Sequence, residues 1–440
     1  MATLFKDVYI LDGERERARR GHVVVSKGVI KQVAEGAVPS AADKVIEGRG
    51  VHALLPGFVN AHTHAAMTLL RGLGEEAPLM EWLQKKIWPV EAKLKPEHIY
   101  HGTAGGILEM LATGTTCFAD MYFEMDGVAQ AALDAGIRCA LCRGITDGVA
   151  GPDGVRKVDR SLEDNLRLFD KWHGREGLLT VQLGPHAPYT VPFDDMKRIV
   201  ATAKQRGIGI HFHFLETEWE LGYMQDTLKM RPDEYLRETG ILEVRGAVLA
   251  HGVWMNPDWA DDSGSRAALD FSMATIVHCP KSNMKLGSGV TPLDRWMDKS
   301  VGLALGTDGA SSNNRLDIWD EMRAAALVHK GATRNPTAVP ALDVLRMATL
   351  EGARAFGFAN KGLIREGWAA DLVLVDLDKP HYIGFDEENL ASFIVYAGSS
   401  ADVRGTMVAG KWLYLDGDYK TVNRDEIMQK ALESRKSITS

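Results

Sequence analysis

Short apolar runs with little polar alternation recur through the middle of the chain, near 54–61, 115–121, 137–145, 179–184, 207–215, 247–251, 274–278 and 301–306. Rich in Val, Ile, Leu and Ala, they read as strands buried on both faces. The spacers change period: HIYHGTAGGILEMLATG, GVAQAALDAG, PFDDMKRIVATAKQRG and LDIWDEMRAAALVHKG place apolar residues at helical spacing. Eight β units alternating with helices predict a parallel (β/α)8 TIM-like barrel. The chain ends follow another rhythm. VYILDGERE and GHVVVSKGVIKQVAEG are β-like runs around Asp-Gly and Lys-Gly turn signals, and RGTMVAGKWLYLDGDYKTV repeats the style near the C-terminus. The expected organisation is α/β. Residues 1–57 and 363–440 form a small β-sandwich domain from both termini, the second part ending in a helix, and residues 58–362 form the barrel inserted between them.

Composition narrows the class. With 440 residues, 45% apolar and 25% charged, the chain has the make-up of a soluble protein with a large core. A net charge of −8 and no basic block with interleaved aromatics argue against a nucleic-acid or anionic-membrane partner. No run is long and apolar enough to span a bilayer, and MATLFKDVYILDGERERARR lacks the order of a secretory signal, so a cytoplasmic location is expected. Cys117, Cys139, Cys142 and Cys279 are too few for a disulfide framework. Cys139 and Cys142 spell C-x-x-C inside the strand-like IRCALCRGI, where alternation sends them to opposite faces as small core residues.

Candidate chemistry gathers at strand ends. His62 and His64 close LLPGFVNAHTH two residues apart, so both imidazoles point to one face and can share a cation. His213 with Glu216 follows IGIHFHFLE, His251 closes GAVLAHG, and Asp308 follows VGLALGTDG. In a barrel of this kind, catalytic groups come from the C-terminal ends of several strands. Nitrogen and oxygen ligands with an open position suit Zn²⁺, and these ligands also admit Fe²⁺ or Mn²⁺. His211 alternates with His213 in HFHF and competes for the third ligand position. His278, ending IVHCPKSN, is read as a structural barrel histidine. The segment LLTVQLGPHAPY holds no lysine to bridge two cations, which favours one metal. Glu216 is a candidate proton carrier to substrate, Asp308 a candidate acceptor from attacking water, and His251 a candidate holder of the tetrahedral centre. Because Glu218 and Glu220 follow at once in ETEWE, the alternative for Glu216 is a solvated carboxylate. That for His251 is a capped strand end.

PGFVNAHTHAAMTLLRGLGEE, EWLQKKIWPVEAKL, ATGTTCFADMYF, LGPHAPYTV, HFHFLET, HCPKSNMKLGSGVTPL and LGTDGASSNNRLDIWDEMR closely resemble the amidohydrolase superfamily. Within it the chain is most similar to the 5′-methylthioadenosine/S-adenosylhomocysteine deaminases, over almost its whole length. The resemblance implies a mononuclear zinc aminohydrolase that turns the 6-amino group of an adenine nucleoside into a 6-oxo group with release of ammonia. Its ligands would be His62, His64, His213 and Asp308. Glu216 would protonate ring N1, Asp308 would deprotonate the water, and His251 matches the family's strand-six histidine. Glu91 of WPVE matches a carboxylate that binds both ribose hydroxyls, while Arg143 of CRGITD and His186 of GPHAPY match substrate-binding positions. The family's arginine before an L-E-E-N-like segment is displaced here: VDRSLEDN puts Arg160 one residue early and Ser161 in the matching slot. The 5′ contact therefore stays open between Arg160 and Ser161, and so does the ranking among methylthioadenosine, S-adenosylhomocysteine and adenosine. Trp82 and Trp88 lie near enough to Glu91 in sequence to wall an apolar 5′ pocket, or are core residues. The partner implied is a small nucleoside, and since relatives of this kind are often homo-oligomers, a homo-oligomer is expected. Three other readings stand behind this one: an aminohydrolase for a free base or triazine, a hydrolase of cyclic amides, and a binding protein without turnover.

Overall fold

A computed structural model describes residues 2–38, 42–77, 79–147, 155–262 and 267–439. The middle of the chain builds a sheet whose strands follow one another in sequence order and pair in parallel: Phe58–His64, Thr115–Tyr122, Arg138–Ile145, Leu179–Pro185, Ile210–Phe214, Ala247–His251, Ala274–His278 and Gly302–Leu305. The eighth strand is broken at Gly306 and Thr307. Residues 302–305 pair with the seventh strand, while Asp308 and Gly309 pair with Thr63 and His64 of the first, which closes the sheet on itself. At the break a side-chain ladder replaces the backbone one. Asn60 accepts from the Thr307 amide at 2.9 Å and donates to its hydroxyl at 2.7 Å. A Cβ at Gly306 would sit 2.8 Å from both Cβ and N of His62, so only glycine lets the last strand press against the first metal-ligand candidate.

The second sheet also has nine strands and draws on both chain ends. Strand Ala2–Ile10 pairs antiparallel with Arg19–Ser26, which turns at Lys27 and Gly28, both in left-handed φ, into Val29–Ala34. From the other end, Leu372–Asp376 pairs antiparallel with His52–Pro56. Its core is a cluster around Phe5, Val23, Ile30, Leu54, Leu372 and Met407. One sequence expectation is corrected here. The apolar run near 54–61 is not a single strand, because residues up to Pro56 belong to the terminal sheet and those from Phe58 to the barrel. The chain crosses at Gly57, where a Cβ would meet Thr116 Oγ1 at 2.1 Å. Apolar content cannot report such a crossing, since both halves are buried.

The two sheets are tied by a buried ionic cluster. Arg138 of the barrel donates to both oxygens of Asp371 at 2.6 and 3.1 Å, and Lys361 lies 3.2 Å from the same carboxylate. The terminal helix Arg424–Thr439 lies against the barrel helix Pro96–Ala112, with Ser434 bonded to His101 and Ser437 to His98. Among the described residues no helix is long and apolar enough to cross a membrane. All four cysteines are free and buried.

Candidate metal centre and its cavity

Strand Phe58–His64 alternates, so Thr63 points away from its neighbours and donates to Ala119 O and to Asp120. His62 and His64 turn into the barrel mouth. Two rings are held at Nδ1 by carbonyls: His64 donates to Met121 O at 2.5 Å and His213, from the fifth strand, donates to His186 O at 2.8 Å. A nitrogen facing a carbonyl must carry the hydrogen, so the neutral form of either ring has its lone pair on Nε2. These Nε2 atoms converge. His213 Nε2 lies 3.4 Å from His64 Nε2, and Asp308 Oδ1 lies 3.1 Å from His64 Nε2 and 3.6 Å from His62 Nε2. Potential ligand atoms of His62, His64 and His213 lie within 4.8 Å of one another, as do those of His62, His251 and Asp308.

The donor set fits a cation. His62 is wholly buried, yet its Nε2 has no hydrogen-bond partner, and an orphaned imidazole nitrogen at such a focus is what a metal ligand looks like. Burial, and then the neighbouring imidazoles, hold His62 and His213 well below the usual histidine range, so their lone pairs are available. Burial also acts to lower His64, but the Asp308 carboxylate beside it prevails and raises it to about 9. The second Asp308 oxygen accepts from Ser282 at 2.6 Å and from Ser312 at 2.8 Å, which turns Oδ1 toward the imidazoles.

His211 does not face this point. Its Nε2 lies 2.9 Å behind His62 Nδ1, a position that can hold the His62 ring but not meet the focus itself. His278 is buried with neither ring nitrogen partnered, against the His329 ring at 5.2 Å. It belongs to neither grouping of potential ligands among the described residues.

Glu216 leaves the strand Ile210–Phe214 three residues after His213 and is only 5% exposed, which removes the solvated alternative. One of its oxygens has no partner, and the other lies 3.7 Å from His251 Nε2. Burial, then the Asp308 and Glu220 charges, push its carboxyl well above the ordinary range, which favours the protonated form. His251 sits at φ +74° with its Nδ1 2.9 Å from the Asn283 amide, and burial lowers it to about 4.

The cluster floors a cavity of about 760 Å³. Glu91, Arg143 and His186 all line it, with Trp82 and Trp88. Glu91 accepts from Tyr122 at 2.6 Å, and burial raises its carboxyl against the pull of that bond and of His64. Arg143 is anchored by Asp164 at 3.0 Å, and His186 meets Thr190 at 2.9 Å, lowered by burial to about 4. Of the two residues left open at the 5′ side, Ser161 faces the cavity, with Lys157 one turn earlier on helix Lys157–Trp172, whereas Arg160 lies on the exposed side. Sequence reasoning passed over Tyr122, Ser282, Ser312 and Asn283. Each lies in a segment quoted for its resemblance, but nothing local in ADMYF or HCPKSN tells which side chain turns toward the site.

Residues 53–413 match the model of the amidohydrolase family. A 5-methylthioadenosine/S-adenosylhomocysteine deaminase of Pelotomaculum thermopropionicum is 42% identical across 94% of this chain and 92% of its own. A 5′-deoxyadenosine deaminase of Methanothermobacter thermautotrophicus is 40% identical, covering 96% of this chain and 95% of that protein. An adenosine deaminase of Xanthomonas campestris, solved with bound zinc, superposes with a TM-score of 0.90 at 34% identity over 99% of this chain and 98% of that one.

Proposed function

The chain belongs to the amidohydrolase family, and from that premise we propose that it is a metal-dependent aminohydrolase acting on adenine nucleosides. Its substrates are 5′-methylthioadenosine, S-adenosylhomocysteine and, by the same chemistry, adenosine, each giving the 6-oxo nucleoside and ammonia. One cation per chain, zinc in this reading, is held by His62, His64, His213 and Asp308, a three-nitrogen, one-oxygen set that suits Zn²⁺. When bound, such an ion lowers the pKa of a coordinated water from about 15.7 to about 7.

The chain's own residues carry the protons. Asp308 accepts one from the water as its oxygen attacks C6. Glu216 gives its own to ring N1, so the electron pair of the N1–C6 double bond has somewhere to go. His251 holds the new hydroxyl at C6. The proton on Asp308 then moves to the amino group, which leaves as ammonia, while the hydroxyl proton returns to Glu216 as the 6-oxo bond forms. The observation that carries this reading is a buried Glu216, one oxygen unpartnered and its carboxyl pushed up by burial, beside the imidazole and carboxylate focus. Protonating a ring nitrogen calls for an acid besides the group that serves the leaving amine, and Glu216 beside Asp308 supplies that second acid.

Glu91, across the cavity, supplies two acceptor oxygens for a pair of ribose hydroxyls and separates this reading from a free-base or triazine aminohydrolase. The 5′ substituent meets Trp82, Trp88, Ser161 and Lys157, and Arg143 and His186 complete the substrate contacts. The division at residues 57/58 and 362/363, a cytoplasmic location and a homo-oligomeric state belong to the same proposal; buried free cysteines support the reducing compartment.

The test is ammonia release with methylthioadenosine, S-adenosylhomocysteine, adenosine, adenine and guanine in parallel. Turnover of the nucleosides and neglect of the bases is expected, and preference for a free base would sink the reading. Glu91→Ala is expected to cost nucleosides roughly a hundredfold in kcat/KM, from losing hydrogen bonds to a charged acceptor. Equal losses on adenine would contradict the sugar contact.

A further inference from the structure

Taking Glu216 as the proton carrier of the proposed reaction, we infer that Glu220 is its positioning residue, clamping the backbone from which Glu216 projects. The strand Ile210–Phe214 is followed by Leu215, a residue with no glycine freedom that sits at φ +52°. The three amides that follow the strand all converge on one carboxylate. Leu215 N–H donates to Glu220 Oε2 at 3.0 Å, and Glu216 and Thr217 N–H donate to Oε1 at 2.8 and 3.2 Å. Glu220 is 2% exposed, and no lysine, arginine or histidine charge is among the influences on it: burial raises its carboxyl to about 7 against the pull of the three amides. A buried carboxylate without a counter-ion is costly, and here only oriented amide dipoles compensate.

Helix capping alone does not account for this arrangement. Thr217 and Glu220 form a capping box at the start of Glu218–Tyr223, which uses just the Thr217 amide and would be served equally by glutamine. The other two bonds bear on Leu215 and Glu216, outside the helix. Held this way, the turn fixes where the Glu216 side chain starts, a constraint that its own carboxyl, with one oxygen unpartnered, does not supply. Glutamine at 220 keeps the cap. With its oxygen at the Glu216 and Thr217 amides, however, its NH₂ must face the Leu215 N–H, donor against donor.

Glu220→Gln is therefore the discriminating variant, read on the metal-loaded full chain with methylthioadenosine as substrate. The expected result is a kcat lowered roughly tenfold to hundredfold, with KM within about twofold, metal content unchanged and Tm close to that of the parent. Amide hydrogen exchange at 215–217 should quicken in the same variant. In a Glu216→Gln background, adding Glu220→Gln should change kcat by less than about twofold, since a clamp with no acid to aim has nothing left to lose. An unchanged kcat in the single variant, or a full multiplicative loss in the double one, would overturn the inference. If the parent protein releases no ammonia from any nucleoside, the functional reading fails instead, and exchange at 215–217 still reports on the clamp.

Discussion

Glu216→Gln is expected to lower kcat by roughly 10²–10⁴-fold while leaving one metal per chain and a near-normal Tm. Glutamine copies the shape and can still offer an N–H, but it cannot release a proton to a ring nitrogen. The structure sets the acid up by environment. Burial and two neighbouring carboxylates, Asp308 and Glu220, push the Glu216 carboxyl well above the ordinary range, the direction a proton donor requires. The measurement is steady-state ammonia release together with metal analysis. Unaltered turnover would remove Glu216 from proton transfer, and lost metal would make it a structural neighbour of the ligands instead.

Removing the cation with a chelator is expected to abolish turnover, with one equivalent of Zn²⁺ restoring it. The same titration tests the electrostatics. His64 is held at about 9 by Asp308, so in the stripped protein it is protonated at pH 7, whereas a ligating imidazole must be neutral. Zinc uptake should therefore release about one proton, read by calorimetry in buffers of different ionisation enthalpy. Proton release should fade as pH rises through about 9, where His64 is already neutral. A fully stripped protein with unchanged activity would end the metal-dependent reading, and a stoichiometry of two would reopen the binuclear ones. In either experiment the fold should survive, because the Arg138–Asp371–Lys361 cluster and the barrel core lie outside the metal centre.

The amino-acid pattern determined the elements and the chemistry available to them. Undivided apolar runs announce parallel strands, and His62 and His64 two residues apart share a face because the strand repeat is two. Those are local properties, and the structure has both. Strand alternation leaves His211 and His213 on the same side, and their spacing to Glu216 and the family resemblance favour His213; the packing of His211 against His62 Nδ1 is a tertiary contact that no local pattern reports. For Glu220 the contacts are local, three amides no more than five residues away, and only its burial in the fold separates it from a solvated charge in ETEWE. Contacts across the fold also set Asp308, turned by Ser282 and Ser312, the former from a separate strand-end segment, and Glu91, met by Tyr122 across the cavity. Periodicity sees neighbours along the chain. Which polar group is dry, and what it faces, depends on contacts between segments tens to hundreds of residues apart, and closing the barrel at Asp308 is the step that brings them together.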